Sequence, residues 1–599
     1  MIFQLVFVIA TLLLHVTVAG SGTEDGKSTQ LLDFDITSSF NEAGRRIISI
    51  NGHDNTYGPT IRVKAGETIN LKVQNHICTA KEALLGEQDL LWREFCDTAL
   101  HFHGLVPIGN ENDGVPGLVQ DAIKTGDIYW YNFTIPANVC GTFWYHSHSS
   151  VQYGDGLRGI VIVECPEYDS LARAIANNAG IDEVETPGPF KIDEAETNDV
   201  GPAMEEQIIS LSDWYSEFDL DVMRDKVMAY DGTTDPHIDG SLINGSEEQD
   251  IEFTLAEDTE VIVLRIINTG MSGTQIFHLE DHKMIIMETD GILVKPYVVE
   301  TLSMAVGQRV TVMVHLNEDV ISGNRALKIV NGCNKMMGYI TKTAWFVKEK
   351  GANAKSSTKA NIKYLPGLNK HELYRELEPH DSTGITGLWE SDDIQRIELE
   401  YSYHSDKDTK NKFYTGMYKV NGKVFDEYYT DPIILNNGQV AEITINAKDH
   451  MRHPWHLHGQ PFQVVSLGAG REGPLNLQSP DTDAARRYQQ DLQFWRDNNR
   501  TPMTRDSINI PGNSYAALRI KSEFQGKWLL HCHVDWHIAK GLGVVLEILP
   551  ENAKNTAEIS TDKQDPSAQP TQPTNRLQVL LVYFLVMVAI NTALYKLLM

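Results

Sequence analysis

The sequence predicts an all-β protein divided into three blocks, each about the size of one β-sandwich. Three observations carry that expectation. First, short runs rich in Val, Ile, Thr and aromatic residues recur through the interior, with Gly, Pro, Asn or Asp between them. The clearest are 69–73, 129–135, 160–164, 261–267, 310–315, 440–445 and 544–549. Short strands at regular spacing with turn residues between them are the pattern of sandwiches and barrels. Second, two stretches lack that pattern: residues near 166–205 are acidic and rich in Ala, Asn, Pro and Gly, and residues near 350–392 are polar with scattered Gly, Lys and Pro. Read as linkers, they leave blocks at 30–165, 206–348 and 393–550. Third, the last block echoes the first, because each holds two histidine clusters set in strand-like sequence.

Of 599 residues, 42% are hydrophobic and 22% charged, a globular balance that excludes a disordered chain, a collagen and a multi-span membrane protein. Asp and Glu number 81 against 51 Lys and Arg, a formal charge of −30. A surface this acidic repels phosphates, so no nucleic-acid partner is expected. Six cysteines are too few for a scaffold built on disulfides.

Residues 2–18 are apolar except for Gln4, Thr11, His15 and Thr17, and the small residues Ala19, Gly20 and Ser21 follow. That is the layout of a secretory signal peptide, expected at 1–20. Three N-x-S/T sequons, beginning at Asn132, Asn244 and Asn499, agree with a secreted glycoprotein. A polar linker, 551–576, contains Ser567 and Ala568 and leads into the mostly apolar 577–599. Small residues, a polar spacer and an apolar end make a GPI-attachment signal. A single transmembrane helix is the competing reading, and the interior polar residues Asn591, Thr592 and Lys596 weigh against it. Either reading tethers the protein to the membrane, outside the cell.

Four segments carry the chemistry: His101-Phe102-His103, His146-Ser147-His148, His453-Pro454-Trp455-His456-Leu457-His458 and His531-Cys532-His533-Val534-Asp535-Trp536-His537. They hold ten of the 21 histidines. Side chains two apart on a strand share a face, so each His-x-His projects two imidazoles one way. Four such pairs supply eight imidazoles, more than one metal ion uses, and imply a multinuclear cluster between the first and last blocks. Neutral imidazole suits copper, zinc, iron or nickel. Cys532, between His531 and His533, points to the opposite face and must serve a different metal. A thiolate with two imidazoles, from His453 and His537, is the trigonal set of a blue-copper site. Neighbouring Cα atoms are about 3.8 Å apart, so one peptide segment joins that site to the cluster.

With Gly141-Thr142-Phe143 before Trp144 and Gly541-Leu542-Gly543 after His537, the four motifs resemble in order, spacing and flanks those of the multicopper oxidases. The likeness is to the laccase-like group of three cupredoxin domains, over residues 30–550. It implies three cupredoxin-like Greek-key β-sandwiches and a copper-dependent oxidoreductase that reduces O₂ to water. It implies type 1 ligands His453, Cys532 and His537, and type 2 ligands His101 and His456. A type 3 pair would be held by His103, His146, His148, His458, His531 and His533, making four coppers per chain. Leu542 takes the family's axial position and cannot ligate, so the type 1 potential is expected above that of a Met-axial relative. Asp113 and Asp535 match acids that the family keeps behind the cluster, where carboxylates can supply protons.

Cys78, Cys96, Cys140 and Cys165 allow three pairings, among which the sequence does not choose. Cys333 is the odd one, expected as a buried thiol. The electron donor enters at the type 1 site, through His453, whose ring edge is expected nearest the surface. Asp239, in Asp239-Gly240-Ser241-Leu242-Ile243-Asn244-Gly245, resembles the laccase acid that contacts phenols and could accept the phenolic proton. Asp449, four residues before His453, and Asp235, in less certain register, resemble the acids of membrane-tethered fungal ferroxidases that bind Fe²⁺. The sequence favours oxidation of phenols or diphenols, with Fe²⁺ as the alternative donor.

Overall fold

The computed structural model describes residues 22–550 except for short internal segments, the longest being 80–94, 193–200, 225–234 and 410–415. The expected signal peptide and the terminal anchor lie outside the described residues. No helix among those described is long and apolar enough to cross a membrane.

The strands expected from the sequence are present, shifted at their ends by up to three residues. Residues 69–73 lie in Thr68–His76, 129–135 overlap Ile128–Thr134, and 160–164 lie in Arg158–Glu164. Further on are Val261–Asn268, Arg309–His315, Val440–Ala447 and Gly543–Ile548. They assemble into three pairs of sheets. The first pair is a five-stranded sheet that includes Lys27–Phe40, Thr68–His76 and Ile128–Thr134, and a four-stranded sheet of Ile61–Lys64, Arg158–Glu164, Gly141–Ser147 and Leu100–His103. Thr68–His76 alternates, burying Ile69, Leu71 and Val73; these join Phe34, Tyr131 and Phe133 in one core with Phe102, Tyr145 and Val161 of the other sheet. The second pair has seven and five strands, the third six and five. Lys27–Phe40 pairs in parallel with Thr68–His76, and Ile394–His404 with Val440–Ala447. Parallel neighbours need a crossover, here through the opposite sheet, which gives Greek-key sandwiches.

The two stretches read as linkers are partly built into the fold. Pro166–Ala176 is a helix whose N-cap, Cys165, accepts from Tyr168 N. Within 350–392, Ile362, Tyr374, Leu377 and Trp389 are buried, and the Tyr374 hydroxyl donates to Asp491 Oδ2 at 3.1 Å. The helix Asp483–Asn498 escaped the sequence reading. Thr482 caps it by accepting from Ala485 N, and Ala484, Ala485, Tyr488, Leu492 and Trp495 form its buried stripe. That 3.6-residue spacing is present in the sequence, set among segments with the two-residue period of strands. Two disulfides, Cys78–Cys96 and Cys140–Cys165, settle the open pairing. Cys333 is buried outside both, and its Sγ accepts from Gln275 Nε2 at 3.3 Å.

Buried ion pairs tie the sandwiches together. Arg309 of the second makes a two-pronged contact with Asp506 of the third, Nη1 to Oδ1 at 2.8 Å and Nη2 to Oδ2 at 2.7 Å. Arg505 of the third reaches Asp290 of the second at 2.8 Å. Glu288 of the second accepts from Thr142 of the first at both backbone N and Oγ1, each 3.0 Å. Removing one partner of a buried pair leaves the other charge unpaired, which costs more than the intact pair contributes. Arg309→Ala is therefore expected to destabilise the chain by about 3–5 kcal/mol, read as a lower denaturant midpoint, with Arg309→Lys milder.

Candidate metal centres

Strand pairing sets the histidines out. Leu100–His103 runs antiparallel to Gly141–Ser147, with His101 opposite His146 and Phe102 opposite Tyr145. His453–Leu457 runs antiparallel to Gly526–Cys532, with His456 opposite His531 and Trp455 opposite Cys532. Opposed residues share a face, so Phe102 and Tyr145 enter the core while the histidines leave by the other side. Gly114 has φ +78, and a Cβ there would collide with the carbonyl of Leu100. The glycine lets the turn carrying Asp113 press against the strand of His101.

Hydrogen bonds to carbonyls fix the ring tautomers. Nδ1 of His101 donates to Asp113 O at 2.7 Å, and Nδ1 of His146, His456 and His531 donate to Ser147 O, Asp506 O and Cys532 O, each at 2.9 Å. A carbonyl only accepts, so Nδ1 carries the hydrogen and Nε2 keeps a bare lone pair. His458 Nδ1 donates to Asp113 Oδ2 at 2.9 Å, leaving its Nε2 bare. In His103 the order is reversed: Nε2 donates to Asp506 Oδ1 at 3.2 Å and Nδ1 is bare. The bare nitrogens face other imidazoles. His456 Nε2 lies 3.5 Å from His101 Nε2, His458 Nε2 3.2 Å from His531 Nε2, and His103 Nδ1 3.2 Å from His533 Nε2. His146 Nε2 is buried without a hydrogen-bond partner. Protonation would relieve the repulsion, but burial, helped by neighbouring imidazoles, pushes His103, His146, His456, His458 and His531 well below the ordinary value, and His148 and His533 to about 3. A cationic Lewis acid between the nitrogens resolves the conflict. Ligand atoms within 4.8 Å of one another form the sets His103–His146–His533 and His148–His458–His531, with His101 and His456 paired beside them.

A second centre lies on the other face of the same peptide. His453 Nδ1 and His537 Nδ1 are 3.0 Å apart, and each is 3.5 Å from Cys532 Sγ. Their outer nitrogens meet carboxylates: His453 Nε2 to Asp449 Oδ2 at 2.8 Å, and His537 Nε2 to Asp235 Oδ1 at 3.1 Å. Burial alone would raise Cys532, but His537 and His453 outweigh it and bring the thiol down to about 7. Burial alone would lower His537, but Asp235 and Cys532 push it up to about 10. Tyr401 and Tyr418 set their rings 5.1 and 5.7 Å from His453, close to edge-on. Leu542 is fully buried, and its carbonyl accepts from Cys532 N at 3.0 Å. A buried thiolate with two imidazoles, beside eight further imidazoles, is a donor set that fits copper.

Comparison with known proteins agrees. Residues 95–167, 205–350 and 396–552 match three domains of the family described as Multicopper oxidase. The chain is 46% identical over 591 residues to a Saccharomyces cerevisiae protein named as multicopper oxidase GMC1, covering 96% of each.

The chain belongs to the multicopper oxidase family.

The Kluyveromyces lactis iron transport multicopper oxidase FET3 is 30% identical over 540 residues, 86% of this chain and 74% of that one. In fold, this multicopper oxidase resembles the crystal structure of Fet3p, with TM-score 0.66 at 22% identity over 89% of this chain and 95% of that one. It also resembles a laccase from Botrytis aclada, with TM-score 0.63 at 20% identity over 91% and 94%. Its sandwiches are thus cupredoxin-like, and as a family member it is a copper-dependent oxidoreductase.

The structure brings together every histidine singled out in the sequence and separates the acids. Asp113 lies beneath His101 and His458. Asp535 is buried on the wall of a cavity of about 270 Å³, with His146, His148, His531 and His533. Burial first, then Asp213, holds its carboxyl well above the usual range, while the Tyr153 hydroxyl pulls the other way. Asp239 does not meet the Cys532 site: its Oδ2 accepts from Ser216 N at 3.0 Å, and nothing joins it to His453 or His537. The acid that does is Asp235. His453 is fully buried rather than edge-exposed, and it reaches the surface side through Asp449. Asp506, Ser507 and Arg309 escaped the sequence reading. Ser507 Oγ lies 3.3 Å from both His103 Nε2 and His456 Nδ1. No motif signals them, because their pairing spans the second and third sandwiches.

The sign of the pH effect follows from the depressed rings. They are neutral in the folded apoprotein but protonate in the unfolded chain near 6.5. Below that pH the unfolded state binds the extra protons, so apoprotein stability should fall steadily as pH drops from 6.5 towards 3. Thermal melting across that range checks it. Asp113→Ala, which removes the acceptor behind His458, should weaken copper binding at the eight-histidine set by about 10–100-fold in a chelator competition.

Proposed function

We propose that this multicopper oxidase is a ferroxidase, oxidising four Fe²⁺ to Fe³⁺ for each O₂ and four protons converted to two waters. One observation carries the reading: partly exposed carboxylates, Asp449 at 12% and Asp235 at 21% side-chain exposure, lie 2.8 and 3.1 Å from the outer nitrogens of His453 and His537. Hard carboxylate oxygens bind Fe³⁺ better than Fe²⁺, so acids in this position make the donor easier to oxidise. The name of the FET3 relative, an iron transport multicopper oxidase, supports the same reading. The phenol reading assigns the donor contact to Asp239, whose Oδ2 accepts from Ser216 N, whereas the acid that reaches His537 is Asp235.

His453, Cys532 and His537 would hold the type 1 copper, His101 and His456 the type 2, and His103, His146, His148, His458, His531 and His533 the type 3 pair. Bound copper supplies one-electron acceptance at the first set and four-electron reduction of O₂ at the others. The protein supplies the rest. Asp235 and Asp449 bind and orient the donor. Burial tends to raise Asp449, but the hydrogen bond from His453 outweighs it, so the acid stays ionised to meet a cation. Cys532 and its neighbours His531 and His533 give a covalent path between the two sets. Asp113 and Asp506 hold His458 and His103 in the tautomers that present bare nitrogens. Asp535, whose carboxyl burial holds well above the usual range, can hold a proton on the cavity wall beside four of the histidines. Leu542, buried and apolar, would offer no donor to a metal held at the thiolate site, which would keep its potential high. We further propose that the enzyme acts at the cell surface, tethered through 577–599, with domains at 30–165, 206–348 and 393–550.

Steady-state kinetics on one copper-loaded sample tests the donor. Fe²⁺ should give a far higher kcat/KM than any diphenol. Asp235→Ala and Asp449→Ala should each lower kcat/KM for Fe²⁺ by about 10–100-fold, or roughly 1.4–2.7 kcal/mol, with the visible band of the thiolate site retained. Asp239→Asn should change neither donor. Diphenol turnover exceeding Fe²⁺ turnover, or indifference to both alanine variants, would overturn the ferroxidase reading.

A further inference from the structure

We infer that Asn132 carries an N-linked glycan whose innermost sugar lies on the ring of Trp130, covering an apolar patch on the outer face of the first sandwich. Ile128–Thr134 is the edge strand of its five-stranded sheet. Its inward residues, Tyr131 and Phe133, are 0% and 3% exposed. Its outward residues are the unusual ones: Ile128 and Trp130 are each 53% exposed, and Asn132 is exposed beside them. On the next strand Gln74, Lys72 and Asn70 stand opposite Ile128, Trp130 and Asn132. One strand further, Leu31 stands opposite Asn70 and is 42% exposed. An indole and two aliphatic side chains thus face solvent at and near the open edge of the sheet, where unprotected strands invite pairing between molecules.

The sequence places a sugar acceptor within that patch. Asn132-Phe133-Thr134 is a sequon, and strand alternation puts Trp130 and Asn132 on one face, about 7 Å apart. The Asn132 backbone is pinned by Asn112, whose Oδ1 accepts from Asn132 N at 3.3 Å and whose Nδ2 donates to Asn132 O at 3.2 Å. Its side-chain amide makes no hydrogen bond among the described residues. The other sequons differ. Asn244 is half-buried in a left-handed turn and its amide is spent: Oδ1 accepts from Ser210 N at 2.6 Å and Nδ2 donates to Ile208 O at 2.9 Å. Asn499 is exposed at a helix end, but the residue two before it is Asp497 rather than an aromatic.

The chemistry is that of the secretory route. Asn132 Nδ2 attacks the anomeric carbon of a polyprenyl-diphosphate-linked oligosaccharide. A nitrogen–carbon bond forms, the carbon–oxygen bond to the diphosphate breaks, and the amide loses one proton. The C–H face of the attached hexose then meets the electron-rich face of the indole, a contact that replaces water on both. The glycan also blocks the open edge of the strand.

The test uses the full chain secreted from a eukaryotic host. Peptide mass spectrometry after amidase deglycosylation in heavy-oxygen water should mark Asn132 and leave Asn244 unmarked. Hydroxyl-radical footprinting should show Trp130 protected, with reactivity rising severalfold after enzymatic removal of the glycan from the folded protein. Asn132→Gln should show the same rise, and Trp130→Ala should keep the glycan but lose the thermal stabilisation it gives. Iron oxidation should be unchanged in both variants. An unmodified Asn132, Trp130 equally reactive with and without the sugar, or Trp130 buried by a second copy of the chain, would each overturn the inference. Enzymatic deglycosylation decides the matter even where Asn132→Gln fails to fold.

Discussion

Bare imidazole nitrogens meet head-on where the first and third sandwiches touch. His101 faces His456 at 3.5 Å, and His103 faces His533 at 3.2 Å. Acceptors behind His101, His103 and His456 set the tautomers of those three rings, so the conflict between His101 and His456 cannot be relaxed by moving a hydrogen from one nitrogen to the other. Burial opposes relief by protonation. The rest of the structure follows from this constraint. The two sandwiches meet through imidazoles that repel one another unless a cation separates them, so a metal bound there would couple its binding to domain assembly. Asp113 and Asp506 matter because they decide which nitrogen is bare.

Among the described residues the second sandwich offers no cluster of histidines to that interface, yet it holds the other two in register. Arg309 braces Asp506, which in turn orients His103. The carbonyl of Met271 accepts from Asp535 N at 3.0 Å. Asp235 reaches His537 from the same part of the chain. A sandwich without ligands of its own thereby supplies both a brace for the multinuclear set and one of the two acids at the thiolate site.

Much of this was legible because the signals are local. The His-x-His pairs, the opposite-facing Cys532 and the strands all follow from a side-chain period of two, and the structure reproduces them. What was not legible depends on tertiary placement. Asp235 and Asp239 are four residues apart in one stretch, and sequence alone favoured Asp239 as the acid that meets the donor. Only the fold shows Asp239 turned to Ser216 and Asp235 turned to His537. Asp506 and Arg309 sit in ordinary strand-flanking positions, and their pairing across 197 residues leaves no mark on either segment. The buried expectation for Cys333 held, whereas the stretch at 350–392, polar on average, places Tyr374 and Trp389 in cores because a few apolar residues suffice to anchor it.

The central claim is that the facing imidazoles and the thiolate trio are copper sites whose ligands the tautomers dictate. Anomalous diffraction at the copper edge tests it most directly. The account predicts four peaks in each chain: one between His101 and His456, one within His148, His458 and His531, one within His103, His146 and His533, and one beside Cys532, His453 and His537. It also predicts that His103 binds through Nδ1 and the other histidines of the cluster through Nε2. A crystal of the copper-loaded protein with any of these four positions empty, or with His103 bound through Nε2 and its hydrogen bond to Asp506 broken, would contradict it.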